Sequence, residues 1–135
     1  MKKISIIIPL YNEGDSLNEL YSEIKKNVIK YNYELIFIDD GSNDNSWNIL
    51  KKISNTDENI KIIKFHNNYG KSEALSEGFL ISQGDYIITM DADLQDDPNE
   101  ITSLIQKIDE GWDLVSGWKK DRKDPWNKIL PSKIF

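Results

Sequence analysis

The feature that most constrains the fold is an alternation of short apolar runs with segments of helical periodicity. The runs are rich in β-branched residues, as is typical of strands that are covered on both faces of a sheet. They span residues 4–8, 33–38, 60–65, 86–90 and 113–117. Because short connections join alternating strands and helices, the sequence predicts an α/β fold around a parallel or mostly parallel sheet with right-handed crossovers.

Capping residues predict where the helices begin. Ser16 and Glu19 form a Ser-x-x-Glu capping box, in which the hydroxyl and the carboxylate satisfy free backbone amides reciprocally. The predicted N-caps of the four helices are Ser16, Asp44, Ser72 and Asp97. In the third helix, Ala74, Ser76 and Gly78 predict a face of small residues that packs closely on the sheet.

Charge and composition exclude several classes of protein. The net charge is −6, and since residues 112–135 carry +3, the rest of the chain carries −9. An acidic body repels phosphates and argues against nucleic-acid binding. The absence of cysteine excludes disulfides and thiolate chemistry and fits a reducing compartment. No apolar run approaches the roughly 20 residues that span a bilayer.

The alternation of strands and helices is lost after residue 117. We therefore expect a nucleotide-binding core at residues 1–117 and an incomplete basic segment at residues 118–135. The pattern ends without a closing element, so we expect an N-terminal part of a longer protein whose fold is truncated at its C-terminus.

Polar residues follow four of the five predicted strands, although a packed sheet has no need of them. In open α/β sheets, ligands bind at the carboxyl ends of the strands. The strand ends here are residues 9–13, 39–42, 70–71, 91–95 and 117–119. Their convergence is stronger evidence for a site than any single motif.

The fourth strand end carries Asp91 and Asp93, with Gln95 two residues on. Mg²⁺ and Mn²⁺ prefer oxygen ligands of this kind and usually share them with a phosphate. The segment Asp39-Asp40-Gly41-Ser42 is either a simple strand-to-turn connection or uses one of its carboxylates to accept hydrogen bonds from a base or a ribose. Lys71 is either a surface lysine or a cation that offsets diphosphate charge.

Four motifs, in this order, resemble those of family 2 glycosyltransferases of the GT-A fold. They are Pro9-x-Tyr-Asn-Glu13, Ile38-Asp-Asp-Gly-Ser42, Asn68-x-Gly-Lys-x-x-Ala-Leu-x-x-Gly78 and Asp91-Ala-Asp-Leu-Gln95. Asp97-Pro98 and Gly117-x-Lys-x-x-Arg122 add a similarity to the polyprenyl-phosphate branch, which includes dolichyl-phosphate mannose synthases and undecaprenyl-phosphate glucosyltransferases.

The resemblance implies a Rossmann-like sandwich and an inverting, metal-dependent hexose transfer from a UDP- or GDP-linked sugar to a polyprenyl phosphate. The lipid acceptor implies membrane contact through the full-length protein, at the cytoplasmic face. The alternative within the family is transfer to a saccharide hydroxyl, in polysaccharide or cell-envelope glycan synthesis. A saccharide hydroxyl requires a carboxylate base.

The resemblance also implies roles for individual residues. The nucleotide-sugar site comprises Pro9, Tyr11, Asn12, Glu13, Ile38, Asp40, Gly70, Lys71, Asp91 and Ala92. The ligands of Mg²⁺ or Mn²⁺ are Asp91, Asp93 and Gln95. The catalytic residues are Asp93, Lys119 and Arg122, and the acceptor phosphate is held by Lys119, Arg122 and Lys128. The family pattern has arginine where Lys119 and Lys128 stand, and lysine binds phosphate as a point charge rather than bidentately.

Two other classes of α/β protein fit the motifs poorly. A phosphoryl-accepting receiver domain carries its acids after the first and third strands, whereas here they follow the second and fourth. A nicotinamide-binding Rossmann protein has Gly-x-Gly-x-x-Gly after its first strand, and this chain does not.

Overall fold

The computed structural model describes residues 2–94, 97–109, 115–117 and 127–131, with only the backbone described for 108–109, 115–117 and 127–131. The strands are β1 (Lys3–Leu10), β2 (Asn32–Asp39), β3 (Ile60–Lys64), β4 (Tyr86–Thr89), β5 (Val115–Gly117) and β6 (Asn127–Pro131). The helices are α1 (Gly14–Val28), α2 (Ser46–Thr56), α3 (Lys71–Ile81) and α4 (Glu100–Asp109). Within these ranges, every helix is too short or too polar to cross a membrane.

The strands form one mostly parallel sheet in the order β3-β2-β1-β4-β6-β5, which confirms the predicted α/β class. β1 pairs in parallel with β2 and β4, and β2 pairs in parallel with β3. β6 was not predicted, and it runs antiparallel to both β4 and β5. A parallel strand needs a crossover helix that is visible in the sequence, whereas an antiparallel strand needs no such helix.

Although β6 belongs to residues 118–135, it lies in the same sheet as β4 of the core. The sheet continues across the boundary between residues 117 and 118. The division into a core and a basic segment therefore stays a prediction.

Helices cover both faces of the sheet. Alternate residues of a strand point to opposite faces, so Ile4, Ile6 and Ile8 of β1 lie in the larger core cluster, together with buried residues of α1, α2 and α4. Ile7 lies on the other face, in a smaller cluster that contains Ala74 of α3. The isoleucine-rich strands are buried on both sides, as their sequence predicts.

The small face of α3 is confirmed at two of its three positions. Ala74 and Gly78 are buried against the sheet, whereas Ser76 is exposed and its predicted contact is wrong. A Cβ atom at Gly78 would overlap the side chains of Ile7 and Ile38. The helix therefore approaches β1 and β2 more closely than a larger residue allows.

The predicted N-cap Ser16 is wrong, because α1 begins at Gly14. The amide of Gly14 donates to Asp44 Oδ2 at 3.0 Å, and the amide of Glu13 donates to Ser46 Oγ at 3.1 Å. The free amides at the start of α1 are thus satisfied by Asp44, in the loop before α2, and by Ser46, the first residue of α2, so a local cap is not required.

The other three predicted caps have mixed outcomes. The N-cap of α2 is Asn45, so the prediction of Asp44 is one residue early, although Asp44 Oδ1 accepts the amide of Ser46 at 2.9 Å. Asp97 Oδ1 accepts the amide of Asn99 at 2.9 Å just before α4. Ser72 lies inside α3, which begins one residue earlier, and its cap prediction is wrong.

Glu34 is a buried carboxylate that ties the sheet to the loop after α3. Its side chain is 2% exposed and accepts hydrogen bonds from Ser5 Oγ at 2.5 Å and from the amide of Gln83 at 2.6 Å. Lys61 Nζ on β3 lies 2.8 Å from Oε1, and Lys3 Nζ on β1 lies 4.0 Å away. Burial alone raises the pKa of Glu34, but the bonds from Lys61, Ser5 and Gln83 outweigh it and lower the pKa below its ordinary value.

We expect Glu34→Gln to lower the free energy of unfolding by about 2 kcal/mol at pH 7, because the charge-assisted bonds are weakened. Since the pKa in the folded state is lowered, this stabilisation is present above the ordinary pKa of 4.5 and is lost as the pH falls through the folded value. Urea unfolding at a series of pH values measures the difference in free energy of unfolding between wild type and Glu34→Gln. We expect this difference to become smaller as the pH is lowered. The exposed Glu58→Gln is the matched control, and a gap between Glu34→Gln and wild type that stays constant down to low pH contradicts the assignment.

Candidate active site

A cavity of about 240 Å³ opens at the carboxyl ends of the central strands. It is lined by Pro9, Leu10, Tyr11, Glu13, Asp40, Lys71, Asp91, Ala92 and Asp93. All of these except Leu10 belong to the residues predicted from the sequence. Four separate segments contribute to the lining, one after each of β1, β2, β3 and β4.

The strand order explains why these segments meet. From β1, the chain adds β2 and β3 on one side of the sheet, and then returns to add β4 on the other side. The strand order therefore reverses between β1 and β4. In open α/β sheets, ligands bind in the crevice outside the carboxyl ends of the strands at such a reversal. The cavity lies at this switch point.

The segment from Asp91 to Asp93 forms one wall of the cavity. Ala92 is buried, Asp91 is half-buried and Asp93 is exposed. Lys71, at the start of α3, places its Nζ 2.6 Å from Asp91 Oδ1. An ammonium group and two carboxylates therefore face the same small volume.

Ser16 contributes to the site in a way that the sequence does not reveal. Its hydroxyl lies 2.8 Å from the carbonyl oxygen of Ala92, and also 3.1 Å from Oε2 of Glu13. It thereby connects the first turn of α1 to the Asp91–Asp93 wall. A serine near a helix start predicts a cap, and only the tertiary structure brings it to Ala92.

Asp40 is oriented by the backbone of the loop before α3. Its Oδ1 accepts the amide of Tyr69 at 2.7 Å, and its Oδ2 accepts the amide of Gly70 at 3.0 Å. The side chain is nearly buried, so both oxygens face protein at the edge of the cavity. Of the two acids in this turn, Asp39 is fully buried and Asp40 lines the cavity.

Three predicted nucleotide-site residues do not line the cavity. Ile38 is fully buried between the sheet and α3. Asn12 has a positive φ of 53°, and its Oδ1 accepts the amide of Asn43 at 2.8 Å. Gly70 lies behind Asp40 and donates to it. Each of them supports a lining residue or its loop.

The remaining predicted residues lie outside the described residues or in a strand of which only the backbone is described. Gln95, Lys119 and Arg122 are outside the described residues. Lys128 lies in β6, of which only the backbone is described. Their roles stay predictions.

The donor set of the cavity suits a cation that is shared with a ligand. Among the described side chains, no three of the His, Cys, Asp and Glu type are grouped to hold a metal ion by themselves. Asp91 and Asp93 nevertheless line one cavity, and Mg²⁺ is usually held by one or two carboxylates together with substrate phosphates. The described lining also carries four carboxylates and one ammonium group, an excess of negative charge that attracts cations.

Comparison with known proteins decides the family. The model of glycosyl transferase family 2 matches residues 5–135. The chain belongs to this family. The family 2 chain is 40% identical, over 138 aligned positions, to the undecaprenyl-phosphate 4-deoxy-4-formamido-L-arabinose transferase of Proteus mirabilis. The alignment covers all of this chain and 42% of that relative, so the chain spans less than half of the relative's length.

Solved structures confirm the GT-A fold of the family 2 chain. The mannosyltransferase PcManGT of Pyrobaculum calidifontis, solved with GDP-Man and Mn²⁺, superposes with a TM-score of 0.82 at 16% identity, over 96% of this chain and 44% of that one. TarS 1-349 of S. aureus, solved with UDP, superposes with a TM-score of 0.78 at 22% identity, over 98% of this chain and 47% of that one. At these identities the likeness concerns the fold.

Proposed function

We propose that this chain is the donor-binding part of an inverting, metal-dependent transferase that moves a hexose from a nucleoside diphosphate to a polyprenyl phosphate. The observation that carries the proposal is the convergence of Lys71, Asp91 and Asp93 with Tyr11 and Glu13 in one cavity. Family membership supplies the reaction class, and the Proteus mirabilis relative, named for an undecaprenyl-phosphate acceptor, supports the lipid.

The end of the cavity near β1 is proposed to hold the nucleoside. The side chain of Tyr11 is 42% exposed, so its ring is accessible to a base. Glu13 lines the same volume, and its carboxylate can accept hydrogen bonds from ribose hydroxyls. Neither residue identifies the base, so UDP- and GDP-linked sugars are both candidates.

The end near β4 is proposed to hold the diphosphate. Asp91 and Asp93, together with Gln95, would bind Mg²⁺ or Mn²⁺, as the oxygen donors of this wall favour. When bound, the cation would supply a Lewis acid that stabilises negative charge on the departing nucleoside diphosphate. The two solved neighbours that contain a nucleotide-sugar or a nucleotide support this choice of ligand.

The acceptor needs positioning more than activation. A polyprenyl phosphate is already anionic at neutral pH, so its oxygen can attack the anomeric carbon while the bond to the nucleoside diphosphate breaks. We propose that Lys119, Arg122 and Lys128 neutralise the acceptor phosphate. The lipid acceptor would bring the full-length protein to the cytoplasmic face of the membrane.

Acceptor competition tests the proposal in the protein that carries this sequence. With labelled UDP- and GDP-sugars and Mn²⁺, we expect the label to pass to undecaprenyl phosphate and to be extracted into organic solvent. Equal amounts of saccharide acceptor should remain unlabelled, because a hydroxyl requires a general base whereas a phosphate does not. Label in the saccharide fraction alone would favour the alternative acceptor and contradict the lipid.

A further inference from the structure

The loop between β3 and α3 is held tightly against the turn after β2. Gly41 has a φ of 77°, and a Cβ atom there would lie 2.5 Å from the carbonyl carbon of Asn67 and 2.7 Å from the nitrogen of Asn68. Both are backbone atoms, which cannot rotate away as a side chain can. The loop of residues 67–70 therefore has little freedom to move relative to β2.

Asp40 fixes the end of this loop. The amides of Tyr69 and Gly70, which donate to its two oxygens, belong to the two residues directly before Lys71. Gly70 has a φ of 103°, a conformation that other residues rarely adopt, and α3 begins at the next residue. The carboxylate thus determines where α3 begins and from which point the side chain of Lys71 extends.

Lys71 then reaches across the cavity to Asp91. Its Nζ lies 2.6 Å from Asp91 Oδ1, while its side chain remains 56% exposed. A long, exposed lysine side chain can change partners at small cost, because few packing contacts hold it. The contact joins the loop after β3 to the wall formed by the loop after β4.

A cation held by Asp91 would lie close to the ammonium group of Lys71, and the two positive charges would repel each other. A diphosphate brought by that cation would offer Lys71 several anionic oxygens a short distance away. The same lysine consequently opposes the cation when it arrives alone and favours the nucleotide when both bind.

We propose that Asp40 is a positioning residue for Lys71, and that Lys71 moves from Asp91 to the donor diphosphate when donor and cation bind. The inference rests on the proposed function, and it assigns Asp40 a role through the loop rather than through contact with the nucleoside.

Lys71→Met should have effects of opposite sign on two affinities. We expect it to bind Mn²⁺ alone severalfold more tightly, because the ammonium group that repels the cation is removed, and to bind UDP or GDP with Mn²⁺ about tenfold more weakly. Affinity for uridine and guanosine should not change. Calorimetry measures all three, and Lys52→Met, an exposed lysine on α2, controls for the loss of one positive charge.

Asp40→Asn distinguishes positioning from direct contact. It keeps the shape of the side chain but removes one of the two acceptors of the loop amides. If Asp40 acts through Lys71, the variant weakens UDP or GDP binding, and the double variant with Lys71→Met is no weaker than Lys71→Met alone. The positioning role is contradicted if the double variant loses the product of the two single losses in affinity. It is also contradicted if Asp40→Asn binds uridine or guanosine more weakly than wild type does.

Two outcomes separate this inference from the proposed function. If wild type binds UDP or GDP with Mn²⁺ and Lys71→Met binds them equally well, only the exchange of Lys71 is overturned. If wild type binds neither diphosphate, the proposed function is contradicted and the inference falls with it.

Discussion

Asp93→Asn should reduce hexose transfer by about 10²- to 10³-fold, the size of loss seen when one electrostatic stabiliser of developing charge is removed. Asp93 is exposed at the mouth of the cavity, so the exchange of one oxygen for an amide group has little effect on packing. The loss comes from weaker cation binding beside the departing diphosphate. Initial rates at saturating donor, over a range of Mn²⁺ concentrations, measure it.

Asp97→Asn is the matched control for that experiment. It makes the same change four residues further on, at a carboxylate that accepts the amide of Asn99 and does not line the described cavity. We expect it to lower stability by about 1 kcal/mol or less through the weakened cap, with transfer unchanged at saturating Mn²⁺. Similar losses of transfer in both variants would mean that Asp93 acts through general negative charge.

Gly41→Ala should be the most damaging small substitution near the site, with a loss of about 2–4 kcal/mol in the free energy of unfolding. Two costs add, because a non-glycine residue at a φ of 77° is strained and its Cβ would lie 2.5 Å from the backbone of Asn67. The displaced loop leads directly into Lys71 at the start of α3, so we also expect weaker UDP or GDP binding. Urea unfolding and calorimetry measure the two effects.

Gly70→Ala separates strain from overlap. Gly70 also has a positive φ, of 103°, but a Cβ atom there meets nothing within 4 Å. Its substitution should therefore cost only the conformational strain of a φ of 103° with a ψ of 161°, about 1–3 kcal/mol. If Gly41→Ala and Gly70→Ala are equally unstable, the loop of residues 67–70 is not held in place by its close packing against Gly41.

Much of the site was predictable because strand ends in a parallel sheet meet at one edge. Lys71 is distant in the sequence from the segment of Asp91 and Asp93, yet Lys71 opens a helix, that segment follows an apolar run, and the sheet brings the two together. The same reasoning separated Asp97, which precedes α4 and does not line the described cavity, from the acids of the cavity. Where strands and helices alternate regularly, the local sequence pattern is sufficient to predict which residues meet at the edge of the sheet.

The rest depended on contacts that no local pattern encodes. Ser16 and Ser72 resemble caps, but the amides at the start of α1 are satisfied by side chains just before and at the start of α2. The sequence after β2 allows either a turn or a nucleotide contact, and the bonds of Asp40 to the amides of Tyr69 and Gly70 form only once β2 and β3 are adjacent. β6 was missed because antiparallel pairing leaves no crossover helix in the sequence.

The central claim is that a divalent cation joins Asp91 and Asp93 to the diphosphate of the donor. Calorimetric titration of wild type with UDP and with GDP, in Mn²⁺ and again in EDTA, tests it most directly. We predict that one nucleotide binds at least about tenfold more tightly with Mn²⁺, and that uridine and guanosine, which have no phosphate to bridge, are unaffected by the metal. Equal affinity for the diphosphate in Mn²⁺ and in EDTA would contradict the account.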